Sequence, residues 1–279
     1  MVMDYAEIIK VILIGIIEGI TEWLPISSTG HMLLFDAFVP LSMSKEFKEM
    51  FFVVIQFGAI LAVVVMFWKR MLPVGFEARK LRLKINIIRM WVLVVIACIP
   101  AAVLGLIFDD YLEAHFGNAL TISIMLILYG AAFILIEKHN KKRVARINTI
   151  EKIDCKTALI IGCFQVLSMI PGTSRSGATI VGALLIGVSR TAAAEFTFFL
   201  AIPTMLGASL IKLLKFGLDF TATEFVFLFI GMAVAFVVSL FAIKFLMDYV
   251  KKHDFKAFGW YRILLGLIVL IVSCFFQTQ

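Results

Sequence analysis

The chain has little charge for its length. Asp, Glu, Lys and Arg make up only 16% of its 279 residues, whereas 62% of the residues are hydrophobic, and no long polar block occurs. So little charge excludes an ordinary water-soluble enzyme, and the long continuous apolar runs exclude the alternating pattern of a membrane β-barrel. Because only helices and closed barrels span a bilayer, the composition predicts an all-α polytopic membrane protein.

Cysteine is also scarce, and no cleavable signal segment is evident. The four cysteines lack the spacing of metal ligands, and three of them fall in apolar segments, so we interpret all four as small hydrophobic residues: Cys98, Cys155, Cys163 and Cys274. The first apolar run, residues 11–17, is too short and too soon interrupted by Glu18 to act as a signal segment. Neither a cysteine-bound metal nor a cleaved leader is predicted.

Basic residues are concentrated in connections between the apolar runs. Residues 69–89 contain seven Lys and Arg and residues 138–156 contain seven more, whereas residues 109–117 contain none. This clustering indicates membrane topology rather than nucleic-acid binding, so no nucleic-acid partner is predicted. By the positive-inside rule the first two connections are cytoplasmic, in reach of anionic membrane lipids, and the third is external.

Six apolar runs are long enough to cross the roughly 30 Å of hydrocarbon in a bilayer. The predicted spans are residues 47–68, 88–108, 118–137, 191–214, 224–247 and 258–276. Four other apolar runs are too short to cross, and they come in two pairs, 6–17 with 32–41 and 157–168 with 179–188. We therefore predict two re-entrant helical hairpins, the first entering from the external face and the second from the cytoplasmic face.

The opposed hairpins indicate an internal repeat within a single integral membrane domain, residues 1–279. A shift of 147 residues places Gly15 on Gly162 and Glu18 on Gln165, and it nearly superimposes two turns rich in proline and hydroxyl groups. Repeat one is predicted at about residues 1–137 and repeat two at about 151–276, joined by a cytoplasmic loop, 138–156. In inverted-topology repeats the broken helices meet near the membrane midplane and form one shared site.

The first hairpin carries charge where the membrane should exclude it. Glu18 and Glu22 are spaced to lie on one face of a helix, and two carboxylates so placed can hold one divalent cation. Pro25 is predicted to end that helix. The next residues, Ser27, Ser28, Thr29 and Gly30, offer hydroxyls and free N–H groups at a helix start, which suits phosphate. The alternative is that the serines only cap the next helix.

The second hairpin supplies a cation. Arg175 lies in an otherwise uncharged turn, and its planar guanidinium suits two phosphate oxygens at once. A buried ion pair of Arg175 with Glu18 or Glu22 is the alternative. Both interpretations require the two hairpins to touch.

Three motifs resemble the signatures of the bacterial undecaprenyl-pyrophosphate phosphatases of the bacitracin-resistance type. They are Glu18-x-x-x-Glu22, Pro25-Ile-Ser-Ser-Thr-Gly-His31 and Pro171-Gly-Thr-Ser-Arg-Ser-Gly-Ala-Thr179. The resemblance covers nearly the whole chain. It implies hydrolysis of the C55 carrier undecaprenyl pyrophosphate to undecaprenyl phosphate, which is reused in peptidoglycan synthesis. It also implies an inner-membrane enzyme with its site open to the external, periplasmic side, which requires Mg²⁺ or Ca²⁺.

The matched positions suggest roles for individual side chains. Glu18 and Glu22 would hold the divalent ion, and Arg175 would clamp the phosphoryl group. Ser28 would attack with His31 as base, or His31 would attack directly. The predicted phosphate donors are Ser27, Thr29, Ser174, Ser176 and Thr179. The competing hypothesis is an inverted-repeat transporter or flippase for an anionic lipid, and a homodimer is left open.

Overall fold

The structure, a computed structural model, describes residues 5–77, 80–217 and 219–276. Helices dominate this part of the chain. Their bounds are α1 Tyr5–Thr21, α2 Ser28–Phe38, α3 Lys45–Met71, α4 Ile85–Phe116, α5 Ala119–Asn140, α6 Cys155–Val166, α7 Arg175–Leu185, α8 Arg190–Phe216, α9 Ala222–Val250 and α10 Lys256–Phe276. Short 3₁₀ turns occupy Ile150–Lys152 and Leu167–Met169.

Six of the helices are long and apolar enough to span a membrane, which confirms the six predicted spans. They are α3, α4 as far as Phe108, α5, α8, α9 and α10. The helices α3, α8 and α9 begin one or two residues ahead of the predicted spans, because a polar side chain caps the first turn of each. Ser44 caps α3 and Ser189 caps α8, and Thr221 and Glu224 form a reciprocal capping box at α9.

One element was not predicted. The connection between α3 and α4 contains two short antiparallel strands, β1 Val74–Glu77 and β2 Lys80–Leu83. Val74 pairs with Leu83 and Glu77 pairs with Lys80. The all-α prediction therefore holds for the six spans but omits this hairpin, which lies between two of them.

The two predicted short pairs are present as helix pairs with shifted bounds. α1 runs to Thr21, further than residue 17, and α2 begins at Ser28 rather than at Met32. α7 likewise begins at Arg175, four residues before its predicted start, because the preceding serine caps it. We call residues 18–32 the first tip and residues 165–179 the second tip.

The packing of the helices follows a two-fold pattern. α1 packs on α9 as α6 packs on α4, and α3 packs on α9 as α8 packs on α4. α2 contacts α10 as α7 contacts α5, while α3 with α8 and α5 with α10 form the two central pairs. These contacts of the two halves correspond, whereas α1 with α3 and α7 with α8 have no comparable counterpart among the described residues.

Two glycines at matching positions allow close approaches within this pattern. A Cβ atom added at Gly162 of α6 would lie 2.3 Å from the carbonyl oxygen of Ala97 in α4. A Cβ atom at Gly15 of α1 would lie 3.0 Å from the carbonyl oxygen of Gly231 in α9. Small residues let membrane helices pack backbone to backbone, and these two lie at equivalent positions of the pattern.

Candidate active site

The two tips have the same unusual backbone. Ser27 has φ 74° and Ser174 has φ 70°, and they are the two non-glycine residues with positive φ in the described part of the chain. Such a conformation costs about 1–3 kcal/mol. Each serine caps the helix that follows: Ser27 Oγ accepts from the Gly30 amide at 3.5 Å and Ser174 Oγ from the Gly177 amide at 3.1 Å. The strain is therefore located where the tips meet.

A buried ion pair joins the tips. Arg175 donates from Nη2 and Nε to Glu22 Oε1, at 3.2 and 3.4 Å. Its Nη1 donates to the carbonyl oxygen of Thr197 at 3.0 Å, and the guanidinium lies 5.9 Å from the ring centroid of Trp23. The pairing that the sequence left as an alternative is thus formed, and the tips touch as both interpretations required.

Glu22 also holds the first hydroxyl of α2. Ser28 Oγ donates to Glu22 Oε2 at 3.0 Å, and both residues are buried. One carboxylate therefore contacts a hydroxyl from its own tip through one oxygen and the guanidinium of the other tip through the second. This arrangement holds a potential nucleophile beside a proton acceptor and a cation.

His31 does not contact Ser28 in the way its i, i+3 spacing allowed. Its Nδ1 donates to the carbonyl oxygen of Ser27 at 2.7 Å, which leaves Nε2 of the neutral ring to accept from the Tyr261 hydroxyl at 2.7 Å. The imidazole also stacks on the Tyr261 ring, with centroids 5.6 Å apart. The hydroxyl of Ser28 is turned instead to the carboxylate of Glu22, which accepts its hydrogen bond.

Glu18 is fully buried, and neither of its carboxylate oxygens has a hydrogen-bond partner. α1 ends at Thr21, yet the Glu22 amide still donates to the Glu18 carbonyl at 3.0 Å, so the two glutamates keep helical spacing as predicted. A buried carboxylate without a partner is costly unless something neutralises it. The unpartnered oxygens therefore suit a hard cation, for which carboxylates are preferred ligands. Within the described residues, no group of three or more His, Cys, Asp or Glu side chains is placed to hold a metal.

The predicted phosphate donors of the second tip are used within the protein. Ser176 Oγ donates to the carbonyl oxygen of Glu22 at 3.1 Å and lies 3.1 Å from Ser174 Oγ. Thr179 Oγ1 donates to the carbonyl oxygen of Arg175 at 2.9 Å. Ser176 and Thr179 are fully buried, whereas Thr29 in the first tip is exposed. These contacts fix the shape of the tips, and phosphate binding by the five hydroxyls stays a prediction.

One site residue was missed by sequence reasoning. Arg262 of α10 is fully buried and donates from Nη1 to the carbonyl oxygen of Pro25 at 3.1 Å. Its Nη2 donates to the carbonyl oxygens of Gly172 and Thr173, both at 2.9 Å. Arg262 thus bonds to the backbone of both tips. Its signal was present, since a charge inside a predicted span, residues 258–276, indicates a functional or structural site.

The fold and the site define a multi-pass helical membrane protein with a buried, charged polar centre between two short helix pairs. The chain belongs to the family described as Bacitracin resistance protein BacA, whose sequence model matches residues 11–268. This confirms the family resemblance.

Named relatives match over nearly their whole length. The chain is 66% identical over 274 residues to an undecaprenyl-diphosphatase of Enterococcus faecalis, covering 98% of this chain and 99% of that protein. It is 60% identical over 270 residues to an undecaprenyl-diphosphatase of Desulfitobacterium hafniense, covering 96% and 97%. It is 58% identical over 270 residues to undecaprenyl-diphosphatase 1 of Clostridium acetobutylicum, covering 96% and 98%.

Proposed function

We propose that this protein hydrolyses undecaprenyl pyrophosphate to undecaprenyl phosphate and inorganic phosphate, and so recycles the lipid carrier of peptidoglycan synthesis. Three relatives that match the chain over nearly their full length are named for this activity. The observation that carries the proposal is the Glu22 carboxylate, which contacts the Ser28 hydroxyl and the Arg175 guanidinium together. Nucleophile, proton acceptor and phosphate clamp are the parts that phosphoryl transfer needs.

Ser28 is the nucleophile in the mechanism that this geometry favours. Its Oγ attacks the terminal phosphorus while its proton passes to Glu22 Oε2, 3.0 Å away. The bond to the bridging oxygen breaks, undecaprenyl phosphate leaves, and water then releases phosphate from the serine. Attack by His31, or its service as base, is the alternative. In this geometry both nitrogens of His31 are directed at Ser27 and Tyr261, away from the Ser28 hydroxyl.

Arg175 would bind the phosphoryl group that is transferred. A diphosphate oxygen can replace Glu22 Oε1 as its acceptor, because the guanidinium donates in parallel to two oxygens. The predicted donors Ser27, Thr29 and Ser174 lie at the tips and would add neutral hydrogen bonds. Ser176 and Thr179 would take part only after releasing their present acceptors.

Glu18 and Glu22 would hold Mg²⁺ or Ca²⁺. The unpartnered oxygens of Glu18 support this assignment, since they are buried carboxylate oxygens with no hydrogen-bond partner. When bound, the ion would neutralise charge on the diphosphate. Glu18 would then owe its burial to the ion and the substrate rather than to protein contacts.

We further propose that the two halves are inverted-topology repeats whose tips belong to re-entrant hairpins. The paired helix contacts and the identical caps at Ser27 and Ser174 support this arrangement. By the positive-inside rule the connections 69–89 and 138–156 would be cytoplasmic, so the first tip would open to the external side of the inner membrane. A carrier lipid whose diphosphate is exposed there after wall synthesis would meet the site on that face.

Phosphate release by the purified chain tests the proposal. The protein is given polyprenyl pyrophosphate with Mg²⁺, and again with a chelator, beside Ser28→Ala and His31→Ala variants. We expect release that falls at least 100-fold with Ser28→Ala and stops on chelation. No release from the intact protein, together with movement of the lipid across vesicles, would contradict the proposal in favour of a flippase.

A further inference from the structure

A second concentration of positive charge lies at the far end of α7. The helix begins at Arg175 in the second tip and ends at Leu185, about 15 Å away at 1.5 Å per residue. There an open cavity of about 1080 Å³ lies between the end of α5, the start of α6, the turn after α7 and the start of α8. The cavity is separate from the candidate active site, and the proposed hydrolysis does not use it.

The cavity is lined by an excess of cations. Its basic residues are Lys141, Arg143, Arg146, Lys156, Arg190 and Lys256. Two carboxylates also line it, and each is already paired. Arg190 donates to both oxygens of Glu137, at 2.8 and 2.5 Å, and Lys256 donates to Asp254 at 2.7 Å. Although burial opposes it, the Lys256 hydrogen bond lowers the pKa of Asp254, so that carboxylate is ionised and neutralises its partner.

Four basic side chains of the cavity are not neutralised by an ion pair with a described residue. Lys141, Arg143, Arg146 and Lys156 form no ion pair with any residue in the described part of the chain. The turn that carries Arg146 is held in place, because the amides of Arg146 and Ile147 both donate to the carbonyl oxygen of Gly187. The N-terminus of α8 also lies at the cavity, since Ser189 and Arg190 line it, whereas the N-terminus of α6 is capped by the Asp154 carboxylate. The positive end of the α8 dipole adds to the excess charge.

The enrichment of basic residues expected in any cytoplasmic connection does not explain this arrangement. Lys142 and Lys152 belong to the same connection, 138–156, and do not line the cavity. The cations inside are gathered around one concave surface, whose volume is ample for a phosphate-bearing head group. Arginine pairs with phosphate in a bidentate geometry, and lysine adds point charge.

We propose that this cavity binds a phosphate-bearing ligand, either the head group of a membrane lipid or a phosphate or diphosphate free in solution. The four unpaired cations would contact the phosphate oxygens. The ligand would lie in the basic cavity rather than at the Glu22 and Arg175 pair.

Matched double variants test the proposal. Arg146→Gln with Lys156→Gln removes two lining charges, and Lys142→Gln with Lys152→Gln removes two charges of the same connection that do not line the cavity. All four side chains are exposed, so both variants should fold. Binding is measured by native mass spectrometry with phosphatidic acid and with phosphatidylcholine, and by titration with inorganic pyrophosphate.

We expect the cavity variant to bind a phosphate probe at least tenfold more weakly, while the control changes less than twofold. Loss confined to phosphatidic acid identifies a lipid head group, and loss with pyrophosphate identifies a soluble ligand as well. Equal weakening in both variants would show nonspecific attraction to a basic loop and overturn the proposal. Unchanged binding in both would overturn it too. Should the cavity variant melt early, Lys141→Gln with Arg143→Gln replaces it under the same criteria.

Discussion

The first and second tips share a backbone and differ in chemistry. At a spacing of 147 residues, Ser27 matches Ser174 and Gly30 matches Gly177, and these residues cap the two helices with the same positive-φ geometry. The side chains that carry chemistry differ: at this spacing Glu18 is aligned with Gln165, and Ser28 is aligned with Arg175. The two tips thus use one structural device to present an anionic, hydroxyl-bearing side and a cationic side to each other.

The difference explains why the tips are found together. A lone carboxylate or guanidinium within a membrane protein is costly, but Glu22 and Arg175 neutralise each other. Arg262 adds a third link through backbone carbonyls of both tips. Removing charge from one side should therefore affect chemistry, and removing the link should affect stability.

Glu22→Gln should have the largest effect. The amide keeps the size of the side chain but loses the charge that the Ser28 hydroxyl and Arg175 share, so we expect turnover to fall by at least about 1000-fold. Because Arg175 loses its counter-charge, a lower melting temperature should accompany the loss. Phosphate release across a Mg²⁺ titration measures turnover. Glu18→Gln is the matched control, because it copies Gln165 of the second tip, and it should lose about tenfold. Near-normal rates for Glu22→Gln at every Mg²⁺ concentration would remove Glu22 from the site.

Arg175→Lys should come next, with a loss of about 100-fold. Lysine keeps the charge but cannot donate in parallel to two phosphate oxygens, so the expected fall is in kcat more than in KM. Steady-state phosphate release gives both constants. Arg89→Lys, a change of the same kind at an exposed arginine remote from the tips, should leave them unchanged. A mild loss at Arg175 would mean that charge alone suffices there.

Arg262→Met should mainly lower stability. Several backbone carbonyls of the two tips lose their donor, and we expect a loss of about 3 kcal/mol, read as a lower melting temperature in detergent. Turnover should fall as well, because the two tips are held together less firmly. Arg262→Lys is the milder companion, since it keeps the charge but cannot bond both tips. Unchanged melting of Arg262→Met would show that the tips hold together without this link.

The smallest effects should come from the two caps. Ser27→Gly and Ser174→Gly each remove positive-φ strain and lose one cap hydrogen bond, so each should change stability by about 1 kcal/mol or less, in the same direction. Thermal melting of the two variants side by side tests the equivalence of the tips. A higher melting temperature for one variant and a lower one for the other would show that the two caps are not equivalent.

Part of this arrangement could be predicted from the sequence. Apolar length located the six spans, and the motif spacing located both tips and the pairing of Arg175 with a glutamate. The contact of Ser28 with Glu22 rather than with His31 could not be foreseen, because it depends on the turn between α1 and α2. Arg262 lies about 90 residues from the second tip in sequence, and periodicity carries no information on such a contact. The β-hairpin lies in the basic connection 69–89, whose clustered charges indicate topology but not secondary structure.

The central claim is that Glu22 and Arg175, one from each tip, act as a single unit in catalysis. A double-mutant cycle in kcat/KM for phosphate release tests it, with Glu22→Asp, Arg175→Lys and the two combined. Each single change should cost about 100-fold, because each breaks the same hydrogen-bonded pair. We predict that the double variant is no worse than the poorer single variant. Multiplied losses, about 10,000-fold, would show that the two residues act independently and would contradict the shared site.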